Sequence, residues 1–205
     1  GSRIALQAAA ESDIVRGLLL FNAAAGINNK FTLTDELTPL PLKLICIPLF
    51  SALDFFLGLD AFATWFFERT RTPENVRQVL QNVYVNQSAV DDALVRSITA
   101  PAESPTALKV FVKILTADAG RTPDQFWDDV SCPIRFVWGD EDPFTPLEGP
   151  YGIYFSELCA NSKDPDQLSM AIVRAGHCPH DDNPTESNAA SLPFLRRLAA
   201  PSASS

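Results

Sequence analysis

The chain has 205 residues, of which 46% are hydrophobic, and its formal net charge is −9. This length and composition suit one globular domain with a sizeable core. Nucleic-acid binding needs clustered Lys and Arg residues, whereas this chain scatters them singly, so the sequence argues against a nucleic-acid partner. The cysteines have neither CxxC nor metal-finger spacing, which predicts reduced, mostly buried thiols rather than a zinc site or a disulfide scaffold; they are Cys46, Cys132, Cys159 and Cys178.

The first predicted elements are a helix and a strand. Residues 3–10 are amphipathic, and residues 14–21 form a nearly continuous apolar run, typical of a parallel strand that is covered on both faces. The small-residue loop at 22–26 would then lie at the carboxyl edge of a sheet, where open α/β folds place their sites. Because no Met, signal peptide or strand precedes the helix, we expect the chain to begin inside a domain.

Residues 31–105 interrupt this pattern, because they are rich in Pro, Leu and Phe before they become helical through 74–83 and 90–98. We therefore predict an insertion between strands. The remaining predicted elements are a helix at 106–115, a strand at 134–138, a helix at 148–158, a strand at 168–173 and a helix at 185–198. Strands that alternate with helices in this order predict a parallel α/β sheet.

Two of the predicted strands end next to residues that are suited to catalysis. Strand 134–138 runs into GDEDP, which contains Asp142, and strand 168–173 is followed by GHCPHDD, which contains His177. A serine hydroxyl is a weak nucleophile until an imidazole takes its proton, and the imidazole needs a buried carboxylate to fix its tautomer. Asp142 and His177 can do these two jobs if their loops lie side by side, with Asp140 as the alternative acid.

The residues beside His177 allow two other interpretations. His180, Asp181 and Asp182 contain the atoms of a metal site, but such a run in a turn is usually a hydrogen-bonded loop, so we expect no bound metal. Cys178 has no base of its own in the sequence pattern. We therefore expect it to pack structurally rather than to act as a nucleophile.

The element order, together with WGDEDP and GHCPHDD, resembles the C-terminal part of an α/β-hydrolase. GHCPHD and VYVNQSAVDDALVRSI are similar to plant and algal pheophytinase-like hydrolases, which cleave the phytyl ester of a magnesium-free chlorophyll derivative in the plastid. The resemblance implies an incomplete α/β-hydrolase fold, with Asp142 as the triad acid and His177 as the base. Gly1 matches the last glycine of the nucleophile elbow G-x-S-x-G, which would place the nucleophile, the first five strands and part of the oxyanion hole before the chain begins.

The resemblance also implies a function. The whole enzyme would cleave a carboxylic ester of a hydrophobic, lipid-like small molecule without a metal or an organic cofactor. We expect the chain by itself to be inactive, because its partner, the N-terminal half of the domain, is missing. Two alternatives stay open: a haloalkane dehalogenase-like or epoxide hydrolase-like enzyme with an Asp nucleophile, and a non-catalytic protein that binds a hydrophobic ligand.

By this resemblance, residues 1–30 and 106–200 are core fragments, residues 31–105 are a helical cap or lid, and residues 201–205 are a disordered tail. The cap has an apolar and aromatic segment at 40–67. We predict that it does not span a membrane, because charged residues, Pro and Gly interrupt it: Lys43, Pro48, Asp54, Gly58 and Asp60. Three interpretations remain, namely a pocket lining for an acyl or isoprenoid group, a surface that contacts a membrane, and ordinary core packing.

Overall fold

The computed structural model describes residues 1–23, 30, 33, 39–117 and 120–200. The chain divides into two compact units. Unit 1 comprises Gly1–Ala25, Val83–Asn86 and Pro123–Ser205, and unit 2 comprises Gly26–Asn82 and Gln87–Thr122. In sequence, unit 2 is therefore an insertion into unit 1.

Unit 1 contains a three-stranded parallel sheet in the order β1-β2-β3. Leu18 pairs with Ile134, which pairs in turn with Leu168. The elements of unit 1 are α1 (Ser2–Glu11), β1 (Leu18–Phe21), β2 (Ile134–Gly139), α7 (Pro150–Asn161), β3 (Leu168–Val173), α8 (Pro179–Asp182) and α9 (Pro184–Ala199). Two 3-10 turns, Pro123–Gln125 and Trp127–Asp129, precede β2. The predicted order of helices and strands in this unit is confirmed.

The central strand β2 is buried on both faces of the sheet. Phe136 and Trp138 are fully buried, and both of their rings contact Phe155 of α7, at centroid distances of 4.7 and 6.3 Å. Val137 faces the opposite way and packs with Val173 in a second cluster. A continuous apolar run is what such a strand requires, because each of its alternate residues enters a core.

Two expectations for unit 1 were wrong in detail. The predicted strand 14–21 begins only at Leu18, and Ile14 is 88% exposed. The reason is that β2, the partner strand, begins at Ile134, so residues before Leu18 have no strand to pair with. Mostly buried thiols were expected, but of the three cysteines of this unit only Cys132 is buried, whereas Cys159 and Cys178 are half-buried.

Unit 2 is helical in its described residues. Its helices are α2 (Leu40–Leu57), α3 (Asp60–Thr70), α4 (Pro73–Val83, whose last residue belongs to unit 1), α5 (Asp92–Thr99) and α6 (Ala107–Thr116), with 3-10 turns at Gln87–Ala89 and Ala100–Glu103. Helices α2, α3 and α6 contact one another. Phe67 of α3 is buried and its ring lies 5.2 Å from that of Phe111.

Helix α2 is continuous across two of the residues that interrupt the apolar segment. Pro48 and Lys43 both lie inside this helix of 18 residues. Its mean hydropathy is 1.8 and 6% of it is buried, so among the described helices it is the one that is long and apolar enough to cross a membrane. Leu57 is its buried residue. The core-packing interpretation therefore fails for most of this helix.

Candidate active site

The candidate site is formed by loops that leave the three strands at the same edge of the sheet. Because all the strands are parallel, their carboxyl ends lie side by side. Asn22 follows β1, Asp142 follows β2 and His177 follows β3. The fold therefore brings together residues that lie far apart in the sequence.

His177 and Asp142 form a direct side-chain pair. The Nδ1 atom of His177 lies 2.9 Å from Oδ2 and 3.1 Å from Oδ1 of Asp142. Asp142 is 3% exposed, whereas 31% of the His177 side chain is exposed. The buried carboxylate thus contacts one ring nitrogen and leaves Nε2 as the atom that can exchange a proton with a substrate or a nucleophile.

The surroundings of Asp142 keep its carboxyl group ionised. Burial by itself raises the pKa of this carboxyl, but the hydrogen bonds that it accepts from His177, the Thr145 hydroxyl and the Phe144 amide outweigh burial and lower the pKa below its ordinary value. The Phe144 amide nitrogen lies 2.8 Å from Oδ1. A carboxylate held in this way fixes the imidazole with its proton on Nδ1 and stabilises the imidazolium form.

The Asp142 loop is itself anchored to the core. The Nε1 atom of the fully buried Trp138 donates a hydrogen bond to the Thr145 carbonyl oxygen at 2.9 Å. In this loop, the Phe144 ring lies edge-on to the His177 ring at a centroid distance of 5.1 Å, and 59% of Phe144 is exposed. The site thus presents an apolar surface directly beside the imidazole.

Asn22 connects the three strand ends, a role that was missed in the sequence. Its side-chain nitrogen donates to the Gly176 carbonyl oxygen at 2.8 Å, and its side-chain oxygen accepts from the Gly139 amide at 2.7 Å. Asn22 is buried and has a φ of 41°, in the left-handed region that Asn tolerates better than most residues. The signal for this role in the sequence is a single polar residue that directly follows an apolar strand.

Asp182 holds the loop that carries His177, and its role was also missed. The carboxylate is 2% exposed and accepts hydrogen bonds from the backbone amides of Gly176 at 2.6 Å, Val85 at 2.9 Å and Asn86 at 2.7 Å. It therefore ties the His177 loop to the segment Val83–Asn86 of the same unit. From the sequence, the Asp residues after His177 indicate only a general hydrogen-bonded loop.

The same segment approaches the His177 loop along the backbone. The His177 amide donates to the Val83 carbonyl oxygen at 2.8 Å. A Cβ atom at Gly176 would collide with that carbonyl oxygen, so only glycine fits there. The Gly-His pair of the sequence motif thus has a steric reason as well as a chemical one.

The alternative acid, Asp140, has a different partner. Its Oδ1 atom accepts a hydrogen bond from the Ala175 amide at 3.2 Å. Its neighbour Glu141 lies 3.9 Å from Arg174 in an exposed ion pair. Of the acidic residues in the GDEDP turn, the structure brings Asp142 to His177.

The other residues near His177 also have structural partners. The His180 ring lies 5.2 Å from the Phe21 ring, and Asp181 accepts a hydrogen bond from the Tyr84 hydroxyl at 2.9 Å. Burial raises the pKa of the Cys178 thiol, which disfavours the reactive thiolate. Across the described ranges of the chain, no cluster of three or more His, Cys, Asp or Glu residues could hold a metal ion.

Known proteins are similar to this chain in sequence or in structure. No protein-family model matches the chain. The chloroplastic pheophytinase of Arabidopsis thaliana is 26% identical over 138 residues, which are 64% of this chain. A bacterial membrane phospholipase A superposes with a TM-score of 0.60 at 19% identity over 98% of this chain, and a thermophilic esterase from Thermogutta terrifontis with 0.59 at 15% over 98%. An α/β hydrolase from a Medee basin deep-sea metagenome library gives 0.58 at 14% over 96%.

The chain has an incomplete α/β-hydrolase fold, with a three-stranded parallel sheet, as expected. It spans 26% of the length of the pheophytinase and 56%, 63% and 62% of the three solved structures. In an α/β-hydrolase the acid and the histidine follow the nucleophile in chain order. Asp142 and His177 occur in that order, each in the loop after one of two neighbouring parallel strands.

Proposed function

We propose that this chain is the acid- and base-bearing part of a serine-type α/β-hydrolase that cleaves a carboxylic ester of a hydrophobic substrate. The observation that carries the proposal is the 2.9 Å contact between Nδ1 of His177 and the buried carboxylate of Asp142. This pairing supplies the base and its orienting acid, but it needs a nucleophile. We place that nucleophile in a segment that precedes α1, as the order of the α/β-hydrolase triad implies.

The proposed reaction has two halves. In the first, the serine Oγ attacks the ester carbonyl carbon while Nε2 of His177 takes its proton, and the negative Asp142 stabilises the imidazolium that forms. The bond to the alcohol oxygen then breaks, and His177 returns the proton to that oxygen. In the second half, His177 takes a proton from a water molecule that attacks the acyl carbon, and the proton finally returns to the serine as the acid is released.

A hydrophobic substrate is supported by the surface beside the base. Phe144 is exposed and lies against His177, so an apolar group of the substrate would contact it when the ester carbonyl approaches the imidazole. The likeness to a chloroplastic pheophytinase makes pheophytin the first substrate to test and the plastid the compartment that we propose.

Ester hydrolysis by the protein that includes the proposed nucleophile tests this function. We expect His177→Ala to abolish turnover, and Asp142→Asn to lower kcat by about 10⁴-fold, as in serine proteases, because the imidazole is then held in the wrong tautomer. His180→Ala is the matched control, since His180 is the other of the two histidines and packs against Phe21. It should keep most of the activity.

A fluorophosphonate probe followed by peptide mass spectrometry identifies the nucleophile. Labelling of a serine outside residues 1–205 is expected. No labelling by this probe, together with an alkyl ester on an Asp after incubation with a haloalkane or an epoxide, would favour the dehalogenase-like or epoxide hydrolase-like alternative. We expect residues 1–205 alone to be inactive, because a base without a nucleophile or an oxyanion hole has nothing to activate. Ester turnover by those residues alone, lost in His177→Ala, would contradict the external nucleophile.

A further inference from the structure

Helix α2 exposes large apolar side chains on opposite sides. Successive residues of a helix are rotated by about 100°, so Leu40 and Leu44 lie on one side and Leu42 and Leu49 on the other. The exposed fractions of its large apolar residues run from 46% to 67%, and these residues are Leu40, Leu42, Leu44, Ile45, Ile47, Leu49, Phe55 and Phe56. A helix that is apolar all round is either buried in a protein core or placed in lipid. Only 6% of α2 is buried, which favours lipid.

The contacts of α2 show how it would meet a lipid layer. The helix has 18 residues and is therefore about 27 Å long, close to the hydrocarbon thickness of a bilayer. Its C-terminal part is held on unit 2, because Asp54 pairs with Nζ of Lys30 at 2.6 Å and Leu57 is buried. The helix also contacts α3 and α6. These attachments favour a helix that lies in the membrane interface over one that crosses it.

Aromatic residues extend this apolar surface beyond α2. The Phe56 ring lies 5.3 Å from that of Phe62, which lies 5.6 Å from the Trp65 ring. Trp65 is 59% exposed. Trp is enriched where protein meets the headgroup region of a membrane, because its ring is apolar and its N–H is polar. We call α2 together with Phe62 and Trp65 the apolar surface of unit 2.

The charge around this surface indicates which lipid it suits. The chain as a whole has a net charge of −9. The three packed helices are nearly balanced instead, with Lys43, Arg69, Lys109 and Lys113 against Asp54, Asp60 and Glu68. A nearly neutral surface neither repels nor attracts anionic headgroups strongly, so apolar contact decides the binding. The net charge of −9 opposes approach to an anionic bilayer, so the surface suits a bilayer of uncharged or zwitterionic lipids.

We propose that the apolar surface of unit 2 docks on a zwitterionic lipid bilayer, with Leu40–Leu49 immersed at the boundary of headgroups and acyl chains and Trp65 at the edge. The proposal goes beyond ester hydrolysis and does not depend on it. Burial of one Leu or Ile side chain from about half exposure strengthens partitioning by about tenfold. Several such residues give reversible peripheral binding.

Flotation with phosphatidylcholine vesicles tests the proposal. We expect the wild-type protein to float with the vesicles and the double variant Ile45→Asp/Leu49→Asp to lose about 100-fold in partition coefficient. The matched control is Ile14→Asp, because Ile14 is 88% exposed but lies in unit 1, outside the apolar surface. The control should float like wild type, and circular dichroism should show equal helix content in all three proteins.

A second measurement needs no destabilising variant. Brominated phosphatidylcholine quenches a tryptophan that enters the interface, so we expect quenching in wild type that is lost in Trp65→Phe. Absence of flotation, quenching that persists without Trp65, or binding to anionic vesicles alone would overturn the proposal. So would a dimer in vesicle-free solution that the Ile45→Asp/Leu49→Asp change converts to a monomer, since a second copy would then cover the surface. Because phosphatidylcholine itself carries carboxylic esters, both measurements are repeated in the His177→Ala background, so that loss of hydrolysis and loss of docking are observed separately.

Discussion

Substitution of Asp182 by Ala is expected to be among the most damaging single changes in unit 1. The carboxylate is buried and accepts the amides of Gly176, Val85 and Asn86. Removing it leaves the buried Gly176 donor unpaired, which costs about 2 kcal/mol, and weakens two partly buried bonds at about 1 kcal/mol each. The free energy of unfolding should therefore fall by about 3–5 kcal/mol, a large part of the stability of an ordinary domain.

Urea denaturation followed by circular dichroism measures this loss. Asp181→Ala is the matched control, because the neighbouring carboxylate is more accessible and accepts from the Tyr84 hydroxyl; its cost should be about 0.5–1.5 kcal/mol. The loss of unfolding free energy for Asp182→Asn should lie between those for Asp182→Ala and Asp181→Ala. The Asn oxygen still accepts a hydrogen bond, while its NH₂ group faces a backbone donor. If Asp182→Ala unfolds within about 1 kcal/mol of wild type, the assignment of Asp182 as the clamp of the His177 loop is wrong.

Three further outcomes are expected. Asn22→Gly should keep the left-handed backbone but lose two buried hydrogen bonds, which lowers the free energy of unfolding by about 2–3 kcal/mol. Asn22→Ala should lower it further, because Ala disfavours that backbone conformation. A higher melting temperature for the Ala variant than for the Gly variant would contradict this. Because the pKa of Asp142 is lowered on folding, its contribution to stability is present above the ordinary carboxyl pKa of about 3.9 and is lost as the pH falls through the lower folded value. Asp142→Asn should thus flatten the acid side of a stability profile measured from pH 2 to 6, and an unchanged slope would refute the sign. Burial raises the pKa of the Cys178 thiol, so iodoacetamide should alkylate it at neutral pH more slowly in the folded protein than in urea. Mass spectrometry follows the alkylation, and equal rates would show that the thiol is not shielded.

The sequence was sufficient where one local pattern implies one environment. The apolar runs at β2 and β3 identified strands of a parallel sheet, and the polar residues at their ends identified Asp142 and His177 as neighbours. The sequence did not predict where β1 begins, because a strand extends only as far as its partner strand does. Ile14 is as apolar as any strand residue and is still 88% exposed.

The hydrogen-bond partners of Asn22 and Asp182 could not be predicted from the sequence, for a related reason. Asn22 donates to a carbonyl that is 154 residues away in sequence, and Asp182 accepts from an amide 97 residues away. A carboxylate or an amide in a loop has many available partners, and only the folded backbone decides which donors are near it. In the same way, only the folded backbone decides that Asp142, and not Asp140, contacts His177.

By itself the sequence determined the alternation of helices and strands and the acid and histidine turns, because periodicity and residue type act over a few neighbouring positions. Tertiary structure decided what those residues contact. It placed Asp182 and Asn22 under the His177 loop, and it left an 18-residue apolar helix exposed where the sequence had shown only an apolar segment interrupted by charges. Burial and hydrogen-bond partners are properties of segments that meet in space, and the sequence of any one segment does not contain them.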